Sequence, residues 1–172
     1  WAASISGGGG SKGPSVKCDG MIRIWDLESG QAVHEWKGPS EDMRGLAFAP
    51  DEKQLLTAAR HGNGGRHMQL WDTETGRKIR HFQGGYHSLV ELTFVDGNRA
   101  CSIVEDNAVA LWDVTKGTVL TRYPQPFPAR SIDVHIDTSR LAVGQKSAVR
   151  ILDLHDGSET QTLRTPDDQD AL

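Results

Sequence analysis

Four copies of one short pattern, set at nearly equal intervals, restrict this chain more than any other feature. Trp25-Asp26, Trp71-Asp72, Trp112-Asp113 and Leu152-Asp153 follow one another at 46, 41 and 40 residues. Four residues beyond each Asp stands a glycine (Gly30, Gly76, Gly117, Gly157), and ten beyond it a large apolar residue (Trp36, Phe82, Tyr123, Leu163). Self-similarity at this period marks an array of equivalent units, none of which can bury its apolar faces alone.

Each unit reads as four strands. "MIRIWD", "HMQLWD", "AVALWD" and "AVRILD" are short runs rich in branched and aromatic residues, each closing on Asp-x-x-x-Gly. The Asp carboxylate can accept the N–H groups of a tight turn, and the glycine can take the positive φ that the reversal needs. A further strand follows in "QAVHEW", "RKIRHF", "TVLTRY" and "SETQTL". "RGLAFAPDEKQLLTAA", "VELTFVDGNRACSIV" and "SIDVHIDTSRLAVG" then read as strand, Asp-containing turn, strand. A lone sheet of this kind would leave apolar faces in water. Fanning the sheets about an axis packs each between its neighbours.

The stretches "DGMIRIWDLESGQAVHEW" and "EDNAVALWDVTKGTVLTRY" resemble repeats of the WD-repeat β-propeller family, whose units of about 40–45 residues carry a Trp-Asp dipeptide. The resemblance spans residues 1–163 and is weaker in the last unit, where Leu152 replaces Trp. It implies an all-β fold: an incomplete ring of four-stranded antiparallel blades, with a partial blade over 1–37 and blades over about 38–83, 84–123 and 124–163. A polar acidic tail occupies 164–172. "WAASISG" matches a second strand, so the innermost strand of the first blade is expected upstream of Trp1. The chain is then expected to be part of a longer propeller, whose missing blades close the ring, or else to close it by self-association.

In the family the Trp is linked to a Ser or Thr on the second strand, an Asp in the next turn and the His of a Gly-His pair. Trp112 has Ser102 and Asp106 at the matching positions. Trp71 has Thr57, with Gly65 in place of the Asp. Trp25 has Asp19 and either Ser4 or Ser6. The Gly-His positions read Gly38-Pro39 and Gly84-Gly85, with His87 two residues late. The resemblance thus predicts partial sets, in which a buried indole N–H still needs a partner. Trp25, Asp26, Trp71, Asp72, Trp112, Asp113 and Asp153 are the structural residues of the repeat.

Composition narrows the function. With 19 Lys and Arg against 23 Asp and Glu, the net charge is −4, and Asp167, Asp168 and Asp170 account for most of the excess. No basic footprint for nucleic acid or a membrane surface exists. No apolar run approaches the ~18 residues of a bilayer span. No leader-like opening is seen, and the expected compartment is cytoplasmic. Cys18 and Cys101 lack the spacing of a zinc knuckle or redox pair.

In an antiparallel blade, the first-to-second and third-to-fourth turns share one end. There the sequence is short and uniform: "PDEK", "VDGN", "IDTS" and the Asp-x-x-x-Gly turns. The other end carries "GGGGSKGPSVKC", "RHGNGG", "KGPSEDM", "QGGYHS" and "PQPFPA", which differ in length and chemistry. The glycine-rich loops lead into strands, so no helix N-terminus stands behind them to hold a phosphate, and no cofactor is expected. His61 and His67 are two of the three or four ligands a metal needs, and their neighbours are Gly, Asn and Arg, so no metal is expected either. No nucleophile elbow or zinc-protease helix is present, so no catalytic residue is assigned. The expected function is a non-catalytic scaffold that binds a protein or peptide partner at the variable end. Candidate contacts are Lys12, His61, Asn63, Arg66, Tyr86, His87 and the proline-flanked Phe127. The alternative is a regulatory or targeting module of a larger enzyme or sensor with its catalytic domain upstream.

Overall fold

The computed structural model describes residues 1–5, 19–40, 42–60, 66–82, 91–104 and 107–164, with residues 60 and 66 described by their backbone alone. The strands are gathered in four antiparallel sheets, in chain order. The first holds β1 (Ala2–Ile5), β2 (Met21–Trp25) and β3 (Ala32–Lys37), in that order. The second holds β4 (Met43–Phe48), β5 (Gln54–Arg60), β6 (Arg66–Asp72) and β7 (Lys78–His81). The third runs β8 (Leu92–Phe94), β9 (Arg99–Val104), β10 (Ala108–Asp113) and β11 (Thr118–Pro124). The fourth runs β12 (Ser131–His135), β13 (Arg140–Gly144), β14 (Ala148–Asp153) and β15 (Glu159–Arg164).

Each sheet packs on the next, and the inner strands touch in series, β4 on β8 and β8 on β12. The result is an open arc of propeller blades. In the first sheet β1 lies at the edge, paired among the described residues with β2 alone. It occupies the place that second strands β5, β9 and β13 hold in the other three.

Three apolar layers fill the gaps between sheets. Ile22 and Ile24 meet Met43, Leu55 and Trp71 in the first. Leu56, Met68, Leu70 and Phe82 meet Phe94, Ala100 and Trp112 in the second. Cys101, Val109, Leu111 and Tyr123 meet Ile132, Leu141, Val143 and Leu152 in the third. Burial on both faces explains why β10 reads as a continuous apolar run instead of alternating.

The repeated residues follow from this packing. The apolar residue ten past each of the first three Asp residues reaches forward to the next blade, while Leu163 is half exposed. The Trp36 and Trp71 rings lie 6.3 Å apart, and Phe82 meets Trp112 edge-on at 5.7 Å. The Tyr123 hydroxyl donates to the Leu154 carbonyl at 2.6 Å. Inside each blade the indole N–H is satisfied by a hydroxyl on the second strand. Trp25 donates to Ser4 at 2.8 Å, Trp71 to Thr57 at 2.9 Å and Trp112 to Ser102 at 2.9 Å. The fourth blade carries Leu152 instead, and Val143 stands where the register would put the hydroxyl. Donor and acceptor have been exchanged together for apolar groups, a change that can be nearly neutral.

The Asp-x-x-x-Gly turns are alike. Asp26, Asp72, Asp113 and Asp153 accept backbone N–H groups of Ser29, Thr75, Lys116 and His155 at 2.6–2.9 Å. The glycines have φ between +65° and +75°. Two features depart from the simple reading. "IDTS" forms a short 3-10 turn, Ile136–Thr138, with Ser139 left-handed at φ 50°. Every third-to-fourth strand pair also shifts register just before the Trp or Leu of the repeat. The residue left over, Val33, Ile79, Leu120 or Thr160, sits on the outer strand, and the three apolar ones are exposed. A bulge adds one residue to one strand and increases its twist, which period-two alternation does not anticipate.

Candidate functional site

At the turn end of the arc the polar groups are used on the protein itself. There, the two turns of each four-stranded sheet clasp one another. Thr73 N–H donates to the Lys53 carbonyl, Val114 N–H to Asn98 and Leu154 N–H to Ser139, at 2.8–3.1 Å. Asp96 accepts the N–H groups of Asn98 and Arg99, both at 2.8 Å, and the Arg99 guanidinium at 2.7 Å. Fixed hydrogen bonds hold several of the carboxylates below the usual range. The Thr115 hydroxyl and then the Lys116 N–H bring Asp113 down to about 2. The Thr75 and Ser29 groups lower Asp72 and Asp26 in the same sense.

At the loop end, Asp19 accepts the Met21 N–H at 3.0 Å and Asp42 pairs with the Arg44 guanidinium at 2.6 Å. Of the candidate contacts, Lys12, His61, Asn63, Tyr86 and His87 lie outside the described residues, as do Cys18, Gly65 and Asp106. Arg66 opens β6, with only its backbone described. Phe127 lies in the connection from β11 to β12 and is 65% exposed. His67 stands on β6 with its ring 4.9 Å from that of His81. Among the described residues no three His, Cys, Asp or Glu side chains gather as a metal set.

Around Phe127 the structure assembles residues from three segments. Pro126, Phe127 and Pro128 form one wall of a groove of about 580 Å³, and Arg130, Lys146, Arg150 and Arg164 line the rest with Gln145 and Glu159. The Gln145 amide donates to the Phe127 carbonyl at 3.2 Å, and the Arg130 N–H to Gly144 at 2.8 Å. Both bonds fix the connection against the turn between β13 and β14. Below it, Arg150 is committed on both sides. Its Nη1 donates to Gln125 Oε1 at 2.5 Å, and Nη2 meets Glu159 at 2.6 Å. The Thr162 hydroxyl and then Arg150 hold the Glu159 carboxyl below its ordinary value. Reading the sequence singles out Phe127 and misses the cations, because they belong to different strands and turns and share no spacing.

Two further titratable groups lie between the third and fourth sheets. Cys101 lies in the layer between the third and fourth sheets, where burial pushes its thiol up to about 12. Glu91 accepts the Ile132 N–H at 3.1 Å across those sheets, and burial raises its carboxyl.

Fold and tryptophan sets together define a run of β-propeller blades. No family model matches the chain. It is 25% identical over 159 residues to the pre-rRNA-processing protein crb3/ipi3 of Schizosaccharomyces pombe, covering 82% of this chain and 35% of that protein. Against the WD repeat-containing protein SL1-17 of Schistosoma mansoni it is 25% identical over 150 residues, 86% of this chain and 48% of that protein. Against the human WD repeat and SOCS box-containing protein 1 it is 28% identical over 103 residues, 59% of this chain and 24% of that protein. The chain therefore spans less than half the length of each of these curated relatives. Its resemblance to the WD-repeat family holds in residues, in fold and in the proteins it matches. Among the described residues, no helix is long and apolar enough to cross a membrane.

Proposed function

We propose that the chain is a non-catalytic platform that binds a protein or peptide partner through the loop end of its arc. The supporting observation is the exposed aromatic ring and its cationic surroundings at the loop end. Phe127 is exposed between two prolines, beside Arg130, Lys146 and Arg164, which form no salt bridge among the described residues. A rigid aromatic loses little entropy when a partner orders against it. The net charge of −4 and the lack of a long basic stripe argue for protein over nucleic acid. Fold alone does not specify a ligand.

Affinity capture from cells with the full chain tests this, quantified against two variant sets: Lys12→Ala, His61→Ala and Phe127→Ala at the loop end, and Lys53→Glu and Lys116→Glu at the turn end. Capture should fall with the first set and persist with the second. Equal loss from both ends would overturn the assignment.

A further inference from the structure

The groove beside Phe127 has a chemical character of its own. Arg150 and Glu159 neutralise each other and stiffen the floor, with Gln125 on the far side of the guanidinium. Arg130, Lys146 and Arg164 form no salt bridge among the described residues, and all three are exposed. Glu159 is the single carboxylate in the lining among the described residues. A rim of three exposed cations, of which Arg164 also acts on Glu159 electrostatically, thus surrounds one exposed aromatic ring, in a chain whose net charge is negative.

Three features narrow the occupant. The volume, about 580 Å³, holds a few side chains and not a folded domain. The ring is held by Pro126 and Pro128 and by the bond from Gln145, so it offers an apolar anchor already in place. Three cations complement a short run of carboxylates. They are fewer than the roughly 6–10 phosphate contacts of a strongly salt-dependent nucleic-acid binder.

We propose that this groove binds an acidic peptide segment of a partner, with carboxylates on Arg130, Lys146 and Arg164 and an apolar side chain against Phe127. This rests on the platform reading and assigns it a ligand chemistry and a position, at the outer strands of the last blade.

Fluorescence anisotropy on the full chain tests the proposal with a fluorescein-labelled peptide, Glu-Glu-Leu-Glu-Glu, and a Lys-Lys-Leu-Lys-Lys control. The acidic probe should bind and the lysine control should not, and raising the salt should weaken binding through screening. Phe127→Ala should weaken it about fivefold or more, the usual effect of truncating an aromatic anchor. Lys146→Glu and Arg164→Glu should each do likewise, and Lys116→Glu at the turn end should change nothing. All four positions are exposed, so circular dichroism should remain that of the parent.

An affinity untouched by Phe127→Ala overturns the proposal. So does an oligothymidylate of equal charge that displaces the probe from parent and Phe127→Ala alike, since that is unspecific polyanion binding. Tighter probe binding after Asp167→Asn, Asp168→Asn and Asp170→Asn together would assign the groove to the chain's own acidic end and overturn a partner peptide. The two readings fail separately. Cellular capture that depends on the loop end but ignores Phe127, Lys146 and Arg164 leaves the platform standing without this groove. Capture lost equally from the turn end removes the platform itself.

Discussion

Gly30 and Gly157 occupy the same place in the repeated turn and should respond very differently to one added methyl group. Both need a left-handed backbone, at φ +68° and +75°. An alanine there meets a penalty of ~1–2 kcal/mol, partly offset by its stiffer unfolded chain, leaving about 1 kcal/mol net. At Gly30 nothing lies within 4 Å of the new Cβ, so that is the whole cost. At Gly157 the Cβ would press on the Tyr123 ring, with Cε1 at 2.9 Å and Cδ1 closer still. Tyr123 cannot withdraw freely, because it is 5% exposed and its hydroxyl is bonded to Leu154 at 2.6 Å. Overpacking costs about 1–3 kcal/mol and the hydrogen bond about 1 kcal/mol, so Gly157→Ala should lose about 3 kcal/mol or more. Urea unfolding followed by tryptophan fluorescence measures both. Adding Tyr123→Ala to Gly157→Ala closes a double-mutant cycle, in which the cost of the glycine change should fall back to that of Gly30→Ala. Equal losses for the two glycines, or a Gly157→Ala cost unchanged without the tyrosine ring, would refute the idea that this glycine is also an inter-blade contact.

Ser102→Ala removes the acceptor of a fully buried indole N–H and should cost about 1–3 kcal/mol in the same assay, while Ser29→Ala on the surface should cost far less. Trp36 and Trp71 make a second comparison. The Trp71 N–H is bonded to Thr57, whereas the buried Trp36 N–H has no partner among the described residues. Trp71→Phe should therefore destabilise by about 1 kcal/mol more than Trp36→Phe, and the reverse order would contradict the assignment. Asp113 has a folded pKa of about 2 against an ordinary 3.8, so its contribution is present above pH 3.8 and is lost as pH falls through about 2. The stability gap between the parent and Asp113→Asn should shrink over that interval, and a gap constant with pH would rule the turn bonds out as its source.

The repeat was legible because its physical demands are local in sequence. An indole N–H needs a hydroxyl one strand away, and a four-residue turn needs an acceptor at its start and a positive φ at its end, the latter pair recurring at a fixed offset. With the family resemblance, Thr57 and Ser102 could be named before any coordinates, and the partner of Trp25 narrowed to Ser4 or Ser6, of which the structure places Ser4. The bulges at Val33, Ile79 and Leu120 could not. Nothing in an apolar residue on an outer strand shows that its partner strand skips it. The groove was half legible. Phe127 is marked by its flanking prolines, but Arg130, Lys146 and Arg164 come together only once β12, the β13–β14 turn and β15 are folded. A cation at the end of a strand looks the same in sequence whether it faces water or a partner.

That contrast bears on where a chain of this kind can vary its chemistry. Each apolar layer depends on residues of two successive blades, as in Tyr123 with Leu154 and Phe82 with Trp112, so a change in one unit disturbs its neighbour. The turn end is bound in the same way, because its aspartates and glycines hold the reversals that set strand register. Substitutions there act on stability first. The loop end connects strands whose positions are already fixed from below, so its residues can change without moving the sheets. A cation placed at Lys146 or Arg164 then alters charge and leaves the packing of Leu141 and Leu152 intact. Rigid blades beneath and variable connections above are the arrangement that lets such an arc present different surfaces on one scaffold. It also explains why the residues that reveal the fold are silent about the ligand.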